Sequence, residues 1–91
     1  MDFEWDEAKS ERNRVRRELP FDLAIELFDG HVVEHLDNRR DYREVRSRAV
    51  RVTGNLAVVC IYIDRGDARR IISLRRASRK ELDAYRAKVP G

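Results

Sequence analysis

Apolar residues recur at helical spacing near both ends of the chain. Residues 5–19 carry a narrow apolar stripe on an otherwise charged segment, which predicts a surface helix. Residues 20–30 repeat apolar side chains more densely and start with a proline, which predicts a second helix. A third helix is predicted over residues 78–89, because Ser78 and Glu81 have the spacing of a capping box.

The middle of the chain has the pattern of four strands. The second alternates between two faces, and the third is apolar throughout, as is typical of a central strand. Because the last two connecting turns are short, the last three strands should form an antiparallel meander. The predicted strands are residues 31–36, 42–52, 56–63 and 69–76.

These elements predict a single α+β domain over residues 1–91, in the order α-α-β-β-β-β-α. It has two N-terminal helices, a four-stranded and largely antiparallel sheet, and a C-terminal helix. The helices are expected to pack on one face of the sheet. The other face would then stay partly free for a ligand.

Charge is distributed unevenly along the chain. Residues 1–37 hold 5 Lys/Arg and 11 Asp/Glu, whereas residues 38–91 hold 15 Lys/Arg and 6 Asp/Glu. An acidic side and a basic side are expected, and a basic side favours a polyanionic partner. Seventeen of the 20 basic residues are arginine, whose planar donor fork matches phosphate. A composition bias toward arginine would explain this ratio equally well, although it would not explain the segregation.

Several classes of protein and site are disfavoured. The lone Cys60 rules out a disulfide framework, and the acidic N-terminal segment lacks a secretory signal pattern. The apolar run over residues 56–63 is too short to span a bilayer, so a cytoplasmic location without membrane association is expected. On one strand, His31 and His35 would lie about 13 Å apart, too far to share a metal ion. We therefore expect no metal and no other cofactor.

Arginines and one carboxylate make up the candidate chemistry. Alternation places Glu44, Arg46 and Arg48 on one face of the second predicted strand. A meander can bring Arg46 together with Arg75 of the fourth strand and with Arg65 at the end of the third. Guanidiniums stabilise charge on phosphoryl oxygens, and a carboxylate can accept a proton from an attacking hydroxyl.

This face would suit RNA better than DNA, because RNA carries its own nucleophile, the 2′-OH, and needs no metal. The competing interpretation is that Glu44 pairs with neighbouring arginines on a solvated sheet face. On the fourth strand, simple alternation places Arg69, Ile71, Ser73 and Arg75 on one face, the open one, and turns Ile72 and Leu74 toward the helices.

An ordered set of motifs resembles the BrnT family of bacterial type II toxins. No single motif is specific, but together they cover nearly the whole chain. They are Trp-Asp-x-x-Lys-x-x-x-Asn at 5–13, Phe-x-x-Ala-x-x-x-Phe at 21–28, Glu-x-Arg at 44–46, a glycine at 54 before an apolar strand, Arg-Ile-Ile-Ser-x-Arg at 70–75 and Glu-x-x-x-Tyr at 81–85.

The resemblance implies a RelE-like fold and a ribonuclease that inhibits translation. It also implies a BrnA-like ribbon-helix-helix antitoxin, a hetero-oligomer with an antitoxin dimer, and contact with operator DNA only through that complex. By the same analogy Glu44 is the candidate base, and Lys9 is an auxiliary cation. The candidate phosphate and transition-state groups are Arg46, Arg65 and Arg75; further candidate RNA-binding residues are Arg48, Arg69, Arg70 and Arg76.

The chain departs from the family pattern after the first helix. Many members carry Lys-His-Gly there, whereas this chain has Arg16, Arg17 and Glu18. Arginine keeps a positive charge but does not exchange protons near neutral pH. Two alternatives to a ribonuclease therefore stay open: a binding module without catalysis, and a degenerate toxin that only sequesters the antitoxin.

Overall fold

A computed structural model describes residues 1–30, 32–37 and 45–88. Five strands and three helices lie in these ranges. In chain order the elements are β1 (Asp2–Glu4), α1 (Glu7–Arg17), α2 (Leu23–Leu27), β2 (Val33–Asp37), β3 (Arg46–Thr53), β4 (Leu56–Arg65), β5 (Ala68–Arg76) and α3 (Arg79–Lys88).

The strands form one mixed sheet in the order β1-β5-β4-β3-β2. The predicted meander is confirmed, because β2 to β5 pair with their chain neighbours in antiparallel fashion. The prediction of four strands is wrong, because β1 adds a fifth strand that runs parallel to β5. Three residues are too few to show a period of two, and the sequence pattern therefore missed β1.

The first helix packs along the part of β5 that β1 leaves uncovered. Asp6 caps α1 by accepting a hydrogen bond of 3.1 Å from the backbone N–H of Lys9. Asn13 Nδ2 donates to the carbonyl oxygens of Leu74, at 2.8 Å, and Leu19, at 2.6 Å. These bonds satisfy backbone groups and fix α1 to the edge of the sheet.

The first helix ends at a residue in the left-handed conformation. Glu18 has φ 59° and ψ 30°, and its N–H bonds back to the last turn of α1. For a residue with a Cβ atom this conformation costs roughly 1–2 kcal/mol. The other positive φ angles among the described residues belong to glycines, Gly54 and Gly66 in hairpin turns.

Replacing Glu18 by glycine should therefore stabilise the fold. We expect Glu18→Gly to raise the free energy of unfolding by roughly 0.5–1 kcal/mol, because relief of backbone strain exceeds the added freedom of the unfolded chain. Urea denaturation would measure the difference. Glu18→Ala is the matched control, since it also removes the carboxylate but keeps the Cβ atom. An equal gain in the free energy of unfolding in both variants would show that removal of the carboxylate charge causes the effect.

Helices cover both faces of the sheet, so the prediction of one helix-covered face is wrong. The second helix is a single turn of five residues, and its face of the sheet forms the larger core. The third helix packs on the opposite face, where Tyr85 meets the side chains of β3 and β4. The larger core contains Leu19, Phe21, Ala24, Leu27, Ala49, Val58, Cys60, Tyr62, Ile71 and Leu74; the smaller contains Val50, Val59, Ile61 and Tyr85.

A register shift in β5 redirects its side chains. Ser73 pairs with Ile61 but Ile71 pairs with Tyr62, so Ile72 is an extra residue in the ladder. The alternation changes phase there: Ile71 belongs to the larger core, whereas Ile72 packs against the smaller one. The prediction that Ile72 and Leu74 share a face is therefore wrong, because a bulge carries no period-two signal.

Candidate active site

A cleft of about 600 Å³ lies between α3 and the β2–β3 end of the sheet. Side chains from the strands β2, β3 and β5 and from α3 converge on it. Its apolar wall includes Val33 and Val50. The polar side chains that line it are His35, Arg48, Arg75, Ser78, Lys80, Glu81 and Tyr85.

Strand register explains why these groups meet. His35 lies directly opposite Arg48 in the β2–β3 ladder, and such partners point to the same face with Cβ atoms about 4.5–5.5 Å apart. Arg75 pairs with Val59 of β4, on the face that α3 covers. Glu81, in the first turn of α3, then lies above both arginines.

Glu81 is the most extensively bonded group of the cleft. Its oxygens accept two hydrogen bonds from Arg75, Nη1 at 2.7 Å and Nη2 at 2.9 Å. Arg48 Nη1 lies 3.5 Å from Oε2. The predicted capping box is also confirmed: Ser78 N donates to Glu81 Oε1 and Glu81 N donates to Ser78 Oγ. The Arg75 hydrogen bonds, followed by those from Ser78, lower the pKa of Glu81 to about 2.

This lowered pKa predicts a pH-dependent contribution to stability. The folded state binds the Glu81 proton more weakly than the unfolded chain, so the stabilisation is present above the ordinary pKa of 4.5 and is lost as pH falls toward 2. With allowance for solvent screening, Glu81→Gln should lower the free energy of unfolding at pH 7 by about 1–2 kcal/mol.

Chemical denaturation of both proteins between pH 7 and pH 2.5 would test this expectation. The difference in unfolding free energy should shrink across the acidic range. Asp83→Asn is the control, because Asp83 forms an exposed i,i+4 pair with Arg79 on the same helix. A difference for Glu81→Gln that stays constant with pH would show that its charge does not carry the stabilisation.

The cleft is suited to an anion. Arg48, Arg75 and Lys80 line it together with one carboxylate, Glu81, so the local charge is positive when Glu81 is ionised. The Nε–H of Arg48 is buried and has no hydrogen-bond partner among the described residues. Buried donors normally have partners, so this guanidinium retains unused hydrogen-bonding capacity beside the cleft.

His35 is a candidate functional residue that sequence reasoning missed. Strand spacing argued against it as a metal ligand paired with His31, which lies outside the described residues, and the sequence predicted no other role for it. The structure instead places it beside Arg48 in the cleft, and imidazole is a common proton-transfer group in enzymes. Pairing of β2 with β3 could have been guessed from the hairpin order, but the register that selects Arg48 is not visible in the sequence.

The predicted site residues divide into those near the cleft and those far from it. Arg46 lies two residues from Arg48 on the same face of β3, about 6.6 Å along the strand. On β4, Arg65 pairs with Ala68 and Val59 pairs with Arg75. Arg65 and Val59 are six residues apart, which is about 20 Å along the strand. The structure therefore does not bring Arg65 and Arg75 together. Glu44, the predicted base, lies outside the described residues.

Arg69 lies on the face opposite to the cleft. Its Nε donates to Asp64 Oδ1 at 2.7 Å, and its guanidinium stacks over Phe28 at 4.5 Å and Tyr62 at 4.2 Å. The register shift separates it from Arg75, so the prediction that Arg69 and Arg75 share a face is wrong. Its contacts indicate a structural role in the α2 face.

The other predicted RNA-binding residues lie at the borders of the sheet. Arg70 is beside β1, where its Nη1 is 3.9 Å from Glu4 Oε1. Lys9 and Arg76 lie on the α1 side of β5 and line depressions there. These positions are separate from the cleft, although Arg75 borders both regions.

Other chemical groups are buried or isolated. Burial raises the pKa of the Cys60 thiol to about 12, so it packs as a neutral side chain. Residues 1–30, 32–37 and 45–88 contain no group of three or more His, Cys, Asp or Glu that could hold a metal ion. Within the same ranges, no helix has the length and apolar character needed to cross a membrane.

A family model described as the ribonuclease toxin, BrnT, of type II toxin-antitoxin systems matches residues 5–81. The chain belongs to this family. The resemblance inferred from the motifs is thereby confirmed, and BrnT membership implies an antitoxin partner. The matched range includes His35, Arg48, Arg75 and Glu81 of the cleft and ends before Tyr85. A search of curated proteins finds no match to the chain.

Proposed function

We propose that this BrnT-family chain is a metal-independent endoribonuclease that cuts RNA in the cleft beneath α3. The observation that carries the proposal is the convergence of His35, Arg48 and Arg75 on one anion-binding cleft in a member of a ribonuclease toxin family. One imidazole for proton exchange and two guanidiniums for phosphate charge are the groups that RNA cleavage through the 2′-OH needs.

In the proposed reaction the RNA 2′-oxygen attacks the adjacent phosphorus. The P–O2′ bond forms as the P–O5′ bond breaks, which leaves a 2′,3′-cyclic phosphate and a 5′-hydroxyl. Arg48 and Arg75 stabilise the charge on the phosphoryl oxygens. His35 in its protonated form donates to the departing 5′-oxygen, while Glu44 stays the proposed base that accepts the 2′-OH proton. Glu81 is a poor base, because its pKa is about 2.

The biological role follows from the family. RNA cleavage would inhibit translation, and a BrnA-like ribbon-helix-helix antitoxin would bind the toxin in a hetero-oligomer that contacts operator DNA. A RelE-like fold and a cytoplasmic location belong to the same proposal. Their support is membership of a type II toxin family.

A second candidate function is binding without cleavage. The Glu81 carboxylate already accepts two hydrogen bonds from Arg75, so substrate phosphate must compete with it for the same guanidinium. Arg16, Arg17 and Glu18 also replace the Lys-His-Gly segment of many family members. A degenerate toxin that retains only antitoxin or nucleic-acid binding would have these features.

Purified chain incubated with single-stranded RNA and excess EDTA tests the two functions. We expect cleavage in EDTA, products with 2′,3′-cyclic phosphate ends, and no cleavage of the 2′-deoxy analogue of the same sequence. Cleavage that requires a divalent ion would overturn the mechanism. Salt-sensitive RNA binding with no cleavage would favour the second function.

A further inference from the structure

A cationic groove runs beside the cleft, between α1 and β5. Its first depression has a volume of about 240 Å³. Its lining residues are Lys9, Arg12, Asn13, Arg16 and Arg17 of α1, Phe21, and Ile72 and Ser73 of β5. A second depression, of about 580 Å³, is lined by Val15, Arg16, Arg17, Glu18, Arg75 and Arg76. The two share Arg16 and Arg17, and the second shares Arg75 with the cleft, so the three spaces adjoin.

Helical spacing and the anchoring of α1 place these cations together. Lys9 and Arg16 are seven residues apart, which is two turns and about 10 Å along one helix face. Asn13 lies between them and donates its hydrogen bond to Leu74 O of β5. The cationic face of α1 is thereby fixed against the strand that leads to Arg75.

Arg75 is paired with Glu81, but five other groove cations form no ion pair within the described part of the fold. Lys9, Arg12, Arg16, Arg17 and Arg76 form no ion pair with a described carboxylate. Other arginines are paired: Arg14 with Glu11, Arg69 with Asp64 and Arg79 with Asp83. Among the described residues, Glu18 is the one carboxylate that lines the groove.

We propose that this α1–β5 groove binds the sugar–phosphate backbone of RNA beside the scissile bond, while the cleft holds the reacting phosphate. The inference rests on the proposed ribonuclease function and adds a substrate-binding site to it. Guanidinium forks match phosphate oxygens, and closely spaced cations along a track suit a regularly charged polymer. An acidic protein segment is less favoured, because cations outnumber the apolar lining side chains, which are Val15, Phe21 and Ile72, and Phe21 is buried.

The test uses the full chain and a 12-nucleotide 2′-O-methyl RNA, which cannot be cut through the 2′-oxygen. Fluorescence anisotropy at several salt concentrations gives its dissociation constant. Arg16→Gln/Arg17→Gln should weaken binding roughly tenfold and reduce the slope of log K against log salt by about 1.4. Arg14→Gln/Arg86→Gln removes the same charge from positions outside the groove and should bind as the unmodified chain does.

Arg76→Gln gives an independent measurement at an exposed position of β5, with an expected loss of about 0.7 in the same slope. With cleavable RNA, the groove variants should lose more kcat/KM on a 12-mer than on a dinucleoside phosphate. Unchanged salt slopes in both groove variants would overturn the groove while leaving cleavage in the cleft intact. Equal losses in the Arg14/Arg86 control would also overturn it.

Two further results separate the groove from its alternatives. If the unmodified chain cuts no RNA but the groove variants still lose 12-mer binding as expected, the ribonuclease proposal fails and the groove stands. If a 12-residue poly-glutamate peptide binds as tightly as the RNA and competes with it, the groove is a site for acidic protein segments instead.

Discussion

Arg75→Ala should lower the rate of RNA cleavage by about 10²–10³-fold, as loss of a single donor to a transition-state oxyanion does. Arg75 occupies the junction of the cleft and the α1–β5 groove. Its guanidinium presents two parallel N–H groups, which Glu81 now uses and a phosphoryl group would use in the reaction. Single-turnover cleavage at saturating protein measures this loss separately from binding.

The control must separate chemistry from stability, because Arg75 also holds Glu81 and the start of α3. Arg79→Ala is suitable, since that arginine is in the first turn of α3 and its side chain is 85% exposed. Arg75→Lys gives a second comparison, because it retains a charge but cannot form the bidentate contact. A rate change below threefold in Arg75→Ala, with unchanged thermal unfolding, would remove Arg75 from the reaction.

His35→Gln should lower the cleavage rate by roughly 10²–10⁴-fold, the range for loss of a general acid or base. Glutamine keeps hydrogen-bonding capacity but cannot exchange a proton. The dependence of rate on pH should therefore change shape, because the variant lacks the proton-transferring group. That change of profile distinguishes proton transfer from a purely structural role.

Leu36→Gln is the matched control for His35→Gln. Leu36 is the next residue of β2, points to the other face and is 67% exposed, so its replacement perturbs the same strand without reaching the cleft. It should cleave RNA at close to the unmodified rate. A His35→Gln protein that keeps the full pH profile would exclude His35 as the proton donor and leave the donor to be sought near Arg46.

His35 bears on the altered segment at the C-terminal end of α1. Replacement of Lys-His-Gly by Arg16, Arg17 and Glu18 removes an imidazole on one side of Arg75, but His35 supplies one on the other side. The arginines contribute charge to the groove instead. The backbone of Glu18 is in the left-handed conformation, which a glycine would adopt without strain.

Glu81 links stability to function in the cleft. It caps α3 and pairs with the arginines that the proposed reaction assigns to the substrate phosphate, so under that proposal the two roles oppose each other. The same variant that destabilises the fold, Glu81→Gln, would free Arg48 and Arg75 for an anion. Binding of a phosphate therefore exchanges a stabilising contact for a functional one.

Much of this protein could be predicted from local pattern alone. Period-two alternation and short turns predicted the meander, the Ser78–Glu81 spacing predicted the capping box, and the ordered motifs predicted the family. Each of these predictions depends on residues close in sequence or on the order of motifs. None of them requires knowledge of how distant segments meet. The segregation of acidic and basic residues likewise indicates a polyanionic partner from the sequence alone.

Tertiary structure decided the composition of the site. The extra residue Ile72 reversed the phase of β5 and sent Arg69 and Arg75 to opposite faces. The β2–β3 register brought His35 to Arg48, and the packing of α3 on the second sheet face brought Glu81 to Arg75. Bulges, registers and the choice of face depend on which packing of the whole chain buries the most apolar surface with its polar groups satisfied. That is a global balance, and no local pattern of residues encodes it.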